Sequence, residues 1–265
     1  MRRRALYALT FALLPQVAAA SDLIRLTDRD DLFGWEAVGR VEIGSKGYCT
    51  GALIAPDLVL TAAHCVYDED GAPVAPEDLT FRAGLRDGTF ISQSGVTQIA
   101  AHAAYAPQRG MQAENVRHDA ALLALESAIP SAVASPFVLA KPRQPGQRVS
   151  VVSYGKGRDA ALSWQRDCGV TAAGQGLMAF DCNVTFGSSG APVFTQETGR
   201  ARIVSLISGG GHMDGASVAF GMDLPEIVER LKRDLRAAAR PEPARIKRTK
   251  VGQGGSASGA KFAKP

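Results

Sequence analysis

The sequence predicts an all-β fold, a sandwich or a barrel, finished by one C-terminal helix. Short runs of β-branched and apolar residues recur with turn residues between them, the mark of many short strands. Only Pro225 to Ala239 repeats apolar residues at helical spacing: Ile227, Val228, Leu231 and Leu235 fall on one face, and Pro225 suits a first turn. Beyond residue 20, no segment is apolar for long enough to cross a membrane.

Residues 1–20 read as a signal peptide: Arg2, Arg3 and Arg4 form a basic n-region, Ala5 to Val17 an apolar core, and Ala18, Ala19 and Ala20 the small residues at a cleavage site. An exported protein, secreted or periplasmic, follows. Residues 21–34 are charged and read as a loose arm or short propeptide. The strand-like runs of the first half are Ala37–Ile43, Gly51–Ile54, Val59–Ala62, Thr80–Ala83, Val96–Ala101 and Ala120–Leu125. Pro130 to Pro145, with Pro136 and Pro142 inside it, reads as a crossover. A second set of runs follows at Arg148–Tyr154, Leu177–Asn183, Pro192–Phe194, Ile203–Ile207 and Ala216–Gly221. Residues 240–265, rich in Pro, Gly, Ser, Ala and Lys, have little to bury and read as a disordered basic tail.

The charge is unevenly placed. The chain carries +4; the leader holds +3 of it and the tail +6, which leaves −5 for residues 21–239. A mildly acidic body argues against a nucleic-acid-binding face. The four cysteines of an exported chain read as two disulfides, with three pairings open. No CxxC pair or paired histidines accompany them, so no metal site is expected.

Three segments carry chemistry. Val59-Leu60-Thr61-Ala62-Ala63-His64-Cys65 offers an imidazole able to accept and return a proton near neutral pH. His118-Asp119 precedes the apolar run Ala120–Leu125, where a buried carboxylate could orient that imidazole. Phe186-Gly187-Ser188-Ser189-Gly190-Ala191-Pro192-Val193 sets a serine among glycines whose amides can face a reacting carbonyl. His102, His118 and His212 lack such context, and solvent-facing roles are the expectation for each.

The chain order His, Asp, Ser, with Thr61-Ala62-Ala63-His64-Cys65 and Gly187-x-Ser189-Gly190-x-Pro192, resembles the trypsin/chymotrypsin-like serine proteases of the secreted bacterial type. The likeness runs over about residues 35–238. It implies two six-stranded antiparallel β-barrels: one over about 35–135, the other over about 146–224, with the C-terminal helix at 225–239 completing a protease domain of 35–239. It implies an exported serine endopeptidase with His64 as base, Asp119 as orienter and Ser189 as nucleophile. Gly187 and Ser189 then form the oxyanion hole through their amides, and Ser205, in Ile203-Val204-Ser205-Leu206, supports the buried Asp119. The resemblance selects the disulfide Cys49–Cys65, which leaves Cys168–Cys182. No cofactor is needed. The partners implied are polypeptide substrates and a proteinaceous inhibitor, acting on a monomer. Two other readings share the sequence: a catalytically silent binding protein of the same fold, and an esterase using the same triad.

Departures from the family pattern are informative. Ser188 stands where digestive relatives carry the Asp that pairs with a new N-terminal amine, so activation without that ion pair is expected. Ala191 replaces the usual Gly. Asn183, six residues before the nucleophile, and Ile207 are the expected specificity-pocket residues, with Ile207 narrowing the mouth. Asn183 in place of Asp removes the basis for an Arg/Lys preference, and Val204 and Leu206 beside Ser205 offer no histidine for a Glu preference.

Overall fold

The structure, a computed structural model, describes residues 23–195, 199–213 and 215–239. The signal peptide and basic tail expected at 1–20 and 240–265 lie outside them. Thirteen strands and two α-helices follow one another in the described chain. Strands β2 (Val38–Ile43), β3 (Gly47–Ala55), β4 (Leu58–Thr61), β5 (Leu79–Ala83), β6 (Ser92–Ala101) and β7 (Ala121–Leu125) close into a six-stranded antiparallel barrel in the order β2-β3-β4-β7-β6-β5. Strands β8 (Arg148–Ser153), β9 (Ser163–Gly174), β10 (Leu177–Phe180), β11 (Pro192–Thr195), β12 (Arg202–Met213) and β13 (Ala216–Met222) form the second, closed by the β8–β9 pairing. Closure leaves neither barrel with a free edge, which decides the sandwich-or-barrel alternative.

Alternation explains the first barrel: in β5, Leu79, Phe81 and Ala83 point inward while Thr80 and Arg82 face outward. Strand β7 is nearly all apolar because the helix α2 (Pro225–Ala238) packs against it, turning Val228, Leu231 and Leu235 inward. The barrels meet on aromatic rings. Trp35 packs on Phe194 at 5.0 Å and on Trp164 at 5.1 Å, and Phe137, from the crossover, packs on Phe194 at 4.6 Å. The crossover is tied to both sides, because Phe137 donates its amide to Leu53 O (2.8 Å) and Ala140 to Ile203 O (2.7 Å).

The arm expected to be loose is docked. Its β1 (Leu23–Arg25) pairs antiparallel with Ser163–Gln165 of β9, Leu26 is buried, and the Leu26 amide donates to Leu162 O at 2.8 Å. The charged composition hid a three-residue strand with its one apolar anchor placed just after it. Two further elements had no strong pattern in the sequence: β9, whose burial does not alternate strictly, and the short helix α1 (Ala113–Arg117).

Candidate active site

The β4–β7 pairing sets Thr61 opposite Ala121. Running three residues on from Thr61 and two back from Ala121 brings His64 and Asp119 to the same end of the barrel. His64 sits in a short 3-10 turn, Ala63–Val66, and the Cys49–Cys65 disulfide joins that turn to β3. Asp119 is buried and receives two hydrogen bonds from one residue: the His64 amide donates to Oδ1 at 2.8 Å, and the ring Nδ1 lies 2.7 Å from Oδ2. With Nδ1 held as the donor, the other ring nitrogen is left with its lone pair, the tautomer a general base requires. Burial disfavours the charged ring, but the Asp119 charge and hydrogen bond outweigh it, and the His64 pKa is raised above its ordinary value.

The carboxylate has a third donor. Ser208 Oγ donates to Asp119 Oδ2 at 2.5 Å and is itself buried. Ser205, the residue expected in this role, is turned elsewhere: its hydroxyl donates to Met222 O at 2.8 Å within the second barrel. The cause is a β-bulge. Ile207 pairs with Gly221 and Gly209 with Phe220, so Ser208 is the extra residue between two partners and its side chain is re-aimed toward the first barrel. Ile207 is correspondingly not at a pocket mouth. It is 1% exposed among the second barrel's core residues, because the serine supporting Asp119 lies after it and not before it.

The loop of residues 186–191 presses on the first barrel. Gly190 has φ +75°, and a Cβ there would lie 2.3 Å from both Thr50 O and Thr61 Oγ1 and 2.8 Å from the Ala62 amide nitrogen. Only glycine permits that approach, which carries the half-buried Ser189 to the segment leading into His64. Thr50 fastens the loop twice: its amide donates to Ser189 O (2.8 Å) and its hydroxyl to Gly187 O (2.7 Å).

Amide use along this loop alternates. Ser188 N–H donates to Thr185 O (2.9 Å), Gly190 N–H to Ile207 O (2.7 Å) and Ala191 N–H to Ser188 O (3.0 Å). Neither Gly187 N–H nor Ser189 N–H meets an acceptor among the described residues. Two unused amides two residues apart, beside a serine, form an anion-binding pair. Phe186 O accepts from Lys156 N–H at 2.7 Å, and in a trans peptide the Gly187 N–H then points the opposite way, off the 155–158 loop.

Next to Ser208, a Cβ on Gly210 would sit 2.8 Å from Val184 Cγ2, and one on Gly211 3.3 Å from Phe220 Cε2. Asn183 is exposed, with its amide donating to Gln165 Oε1 at 2.7 Å. An apolar cleft of about 450 Å³, lined by Met111, Val116, Ala173, Leu177 and Phe220, adjoins Gly209, which Met111 covers. His102 and His118 differ from the solvent-facing expectation. His102 is buried and stacks on His118 at 4.6 Å, while the side chain of His212 lies outside the described residues. Both expected disulfides, Cys49–Cys65 and Cys168–Cys182, are present.

Known proteins resemble this chain in sequence and in fold. The sequence model of the family described as "Trypsin-like peptidase domain" matches residues 49–202, more than half the chain. A glutamyl endopeptidase of Bacillus licheniformis is 25% identical over 203 residues, 76% of this chain and 62% of that relative's length. Among solved structures, a Glu endopeptidase superposes with a TM-score of 0.63 at 20% identity, covering 77% of this chain and 91% of the other. A thermostable serine protease from an extremophilic microorganism gives 0.62 at 20% identity, over 77% and 98%. Protease Anisep from Arthrobacter nicotinovorans gives 0.60 at 17%, over 76% and 96%.

Proposed function

Because the chain belongs to the trypsin-like peptidase family, we propose that it is an exported serine endopeptidase working through His64, Asp119 and Ser189. The observation that carries this reading is the pair of unused amides, Gly187 and Ser189, on a loop whose Gly190 abuts the segment leading into His64, an imidazole whose tautomer is set by a buried carboxylate. His64 takes the Ser189 hydroxyl proton as the oxygen attacks the peptide carbonyl. The two amides then receive the negative charge that forms on the carbonyl oxygen. His64 returns the proton to the leaving amine, and the acyl-enzyme is hydrolysed by water that His64 activates in turn. Export rests on the leader of residues 1–20 and agrees with two disulfides in one small domain.

The side chain bound next to the scissile bond is short and uncharged in this reading. The groups beside Ser208 that would face this side chain are apolar and close-set: Val184 leaves no room for a Cβ on Gly210, and Phe220 crowds one on Gly211. The relative named glutamyl endopeptidase does not transfer its specificity on these grounds: Ile207 and Gly209, which flank Ser208, carry no side-chain donor for a carboxylate. The cleft under Met111 would take an apolar side chain a few residues further along the same substrate.

The test is covalent labelling of the mature, oxidised protein with a fluorophosphonate, beside a Ser189→Ala variant, followed by P1 profiling on a peptide library. Labelling confined to the unaltered protein, with cleavage after Ala, Ser or Val, is the expected result. An unlabelled folded protein would leave the binding-protein reading, and ester turnover without peptide cleavage the esterase reading.

A further inference from the structure

We propose that Arg158 is the positioning residue of the oxyanion loop, a part-buried guanidinium that fastens the Ser188 hydroxyl to the end of β8 and thereby keeps the Gly187 and Ser189 amides presented. The inference rests on the protease reading above and concerns how the loop is held.

Ser188 is fully buried, and its hydroxyl is saturated. It donates to Tyr154 O at 3.1 Å and accepts from Arg158 Nη2 at 3.2 Å and from the Thr185 amide at 3.3 Å, with Ser153 Oγ also 3.3 Å away. One donor and two lone pairs are all a hydroxyl has. The same guanidinium donates from Nη1 to Ser153 O (3.0 Å) and from Nη2 to Ser153 Oγ (3.2 Å), so its planar fork spans β8 and the nucleophile loop together. A lysine ammonium lacks that flat two-pronged reach.

The contact is built into the backbone as well. Arg158 N–H donates to Gly155 O at 2.8 Å, and a Cβ on Gly155 would lie 2.8 Å from both Arg158 Cζ and Thr185 Cγ2. From the same 155–158 segment, Lys156 N–H holds Phe186 O and so orients the Gly187 amide. Segment 155–158 therefore grips segment 185–188 at both the peptide before Gly187 and the side chain after it.

What marks Arg158 as more than a surface cation is its lack of an acid: no carboxylate forms an ion pair with it among the described residues. Burial lowers its pKa, with the nearby Tyr48 opposing that shift. A part-buried charge without a counterion is a costlier source of three hydrogen bonds than a neutral donor, and it stands here beside the loop whose amides the reaction needs. The Ser188 departure thus has a structural counterpart: a part-buried cation in contact with that residue, supplied by a side chain of the folded chain.

The experiment uses the full exported protein with Arg158→Met, Arg158→Lys and Ser188→Asp, singly and combined. Arg158→Met is expected to lower kcat about tenfold to a hundredfold, less than the loss of a whole oxyanion donor, with KM within about twofold. Arg158→Lys should recover only part of it. A peptide boronic acid, which needs the oxyanion amides, should weaken in parallel, whereas a non-covalent product peptide should not. A thermal-melt cycle reads the contact without catalysis. Ser188→Asp should hold or raise Tm when Arg158 is present, by forming an ion pair, and should lower Tm clearly in the Arg158→Met background. Unchanged kcat in Arg158→Met, a loss confined to KM, or additive Tm effects would each overturn the proposal. An inert unaltered protein would instead defeat the protease reading, while the melt cycle would still decide whether Arg158 and Ser188 are coupled.

Discussion

Ser208→Ala and Ser205→Ala differ by three positions in one strand and should differ in kind. Asp119 is a buried carboxylate with three donors: the His64 amide at 2.8 Å, the His64 ring at 2.7 Å and Ser208 Oγ at 2.5 Å. A hydrogen bond to a charged group is worth about 1.5–3 kcal/mol net. Removing Ser208 Oγ leaves the carboxylate short of one donor in a place water does not reach, so Tm should fall by about 5 °C for a domain of this size. Part of that loss falls on catalysis, because Asp119 holds the ring less firmly. A drop of about tenfold in kcat/KM corresponds to 1.4 kcal/mol, within the value of the bond. The charge on Asp119 is also less neutralised, which strengthens its hold on the His64 proton and moves the acid limb of the pH profile upward.

Ser205→Ala removes a neutral bond to Met222 O at 2.8 Å. About 1 kcal/mol of stability should go with it, and kcat/KM and the acid limb should stay put. Melting curves and pH-resolved kcat/KM of the two variants make the comparison. A Ser208→Ala enzyme with unaltered kcat/KM and acid limb, or a tenfold loss in Ser205→Ala, would show that the bulge does not aim Ser208 at the triad.

Two further outcomes are expected. His64 must be neutral to act as a base, and its pKa is raised, so the acid limb of kcat/KM should lie above about 6.5, the free-imidazole value. Asp119→Asn should lower that midpoint and cut kcat by about 10⁴. Stability runs the other way: the charged His64–Asp119 pair contributes fully below the unfolded pKa of about 6.5 and is lost as pH rises through the higher folded value. The Tm gap between the unaltered protein and Asp119→Asn should therefore be widest near pH 6 and shrink toward alkaline pH. Second, a chain beginning at Thr27 loses β1 and the buried Leu26, so Tm should fall by several degrees from about 1.5–3 kcal/mol of lost burial. An unchanged Tm would mean that the docked arm adds nothing to the fold.

What the sequence makes legible is what local residues decide. His64, Asp119 and Ser189 each sit in a short motif whose neighbours have their own reasons to be there: Gly190 because Thr50 O and Thr61 Oγ1 leave no room for a Cβ, Ala120–Leu125 because β7 is buried on both sides. Strands with clean alternation, such as β5, are legible for the same reason. The support of Asp119 is different in nature. Ser205 and Ser208 are both small, both buried and both on β12, and nothing in either neighbourhood says which one meets the first barrel. The decision is made by a pairing offset between β12 and β13, Ile207 to Gly221 and then Gly209 to Phe220, which is a property of two strands and not of one. Arg158 lies in a Gly-Lys-Gly-Arg-Asp loop whose composition reads only as a turn, and its contact with Ser188 crosses 30 residues of chain. Both residues act through hydrogen bonds formed after the barrels have closed, so their roles become readable only once strand registers and loop positions are fixed. A motif names the groups that react, whereas the residues holding those groups in place are selected by register, and here register gives that role to Ser208, the bulged residue of β12, and not to Ser205.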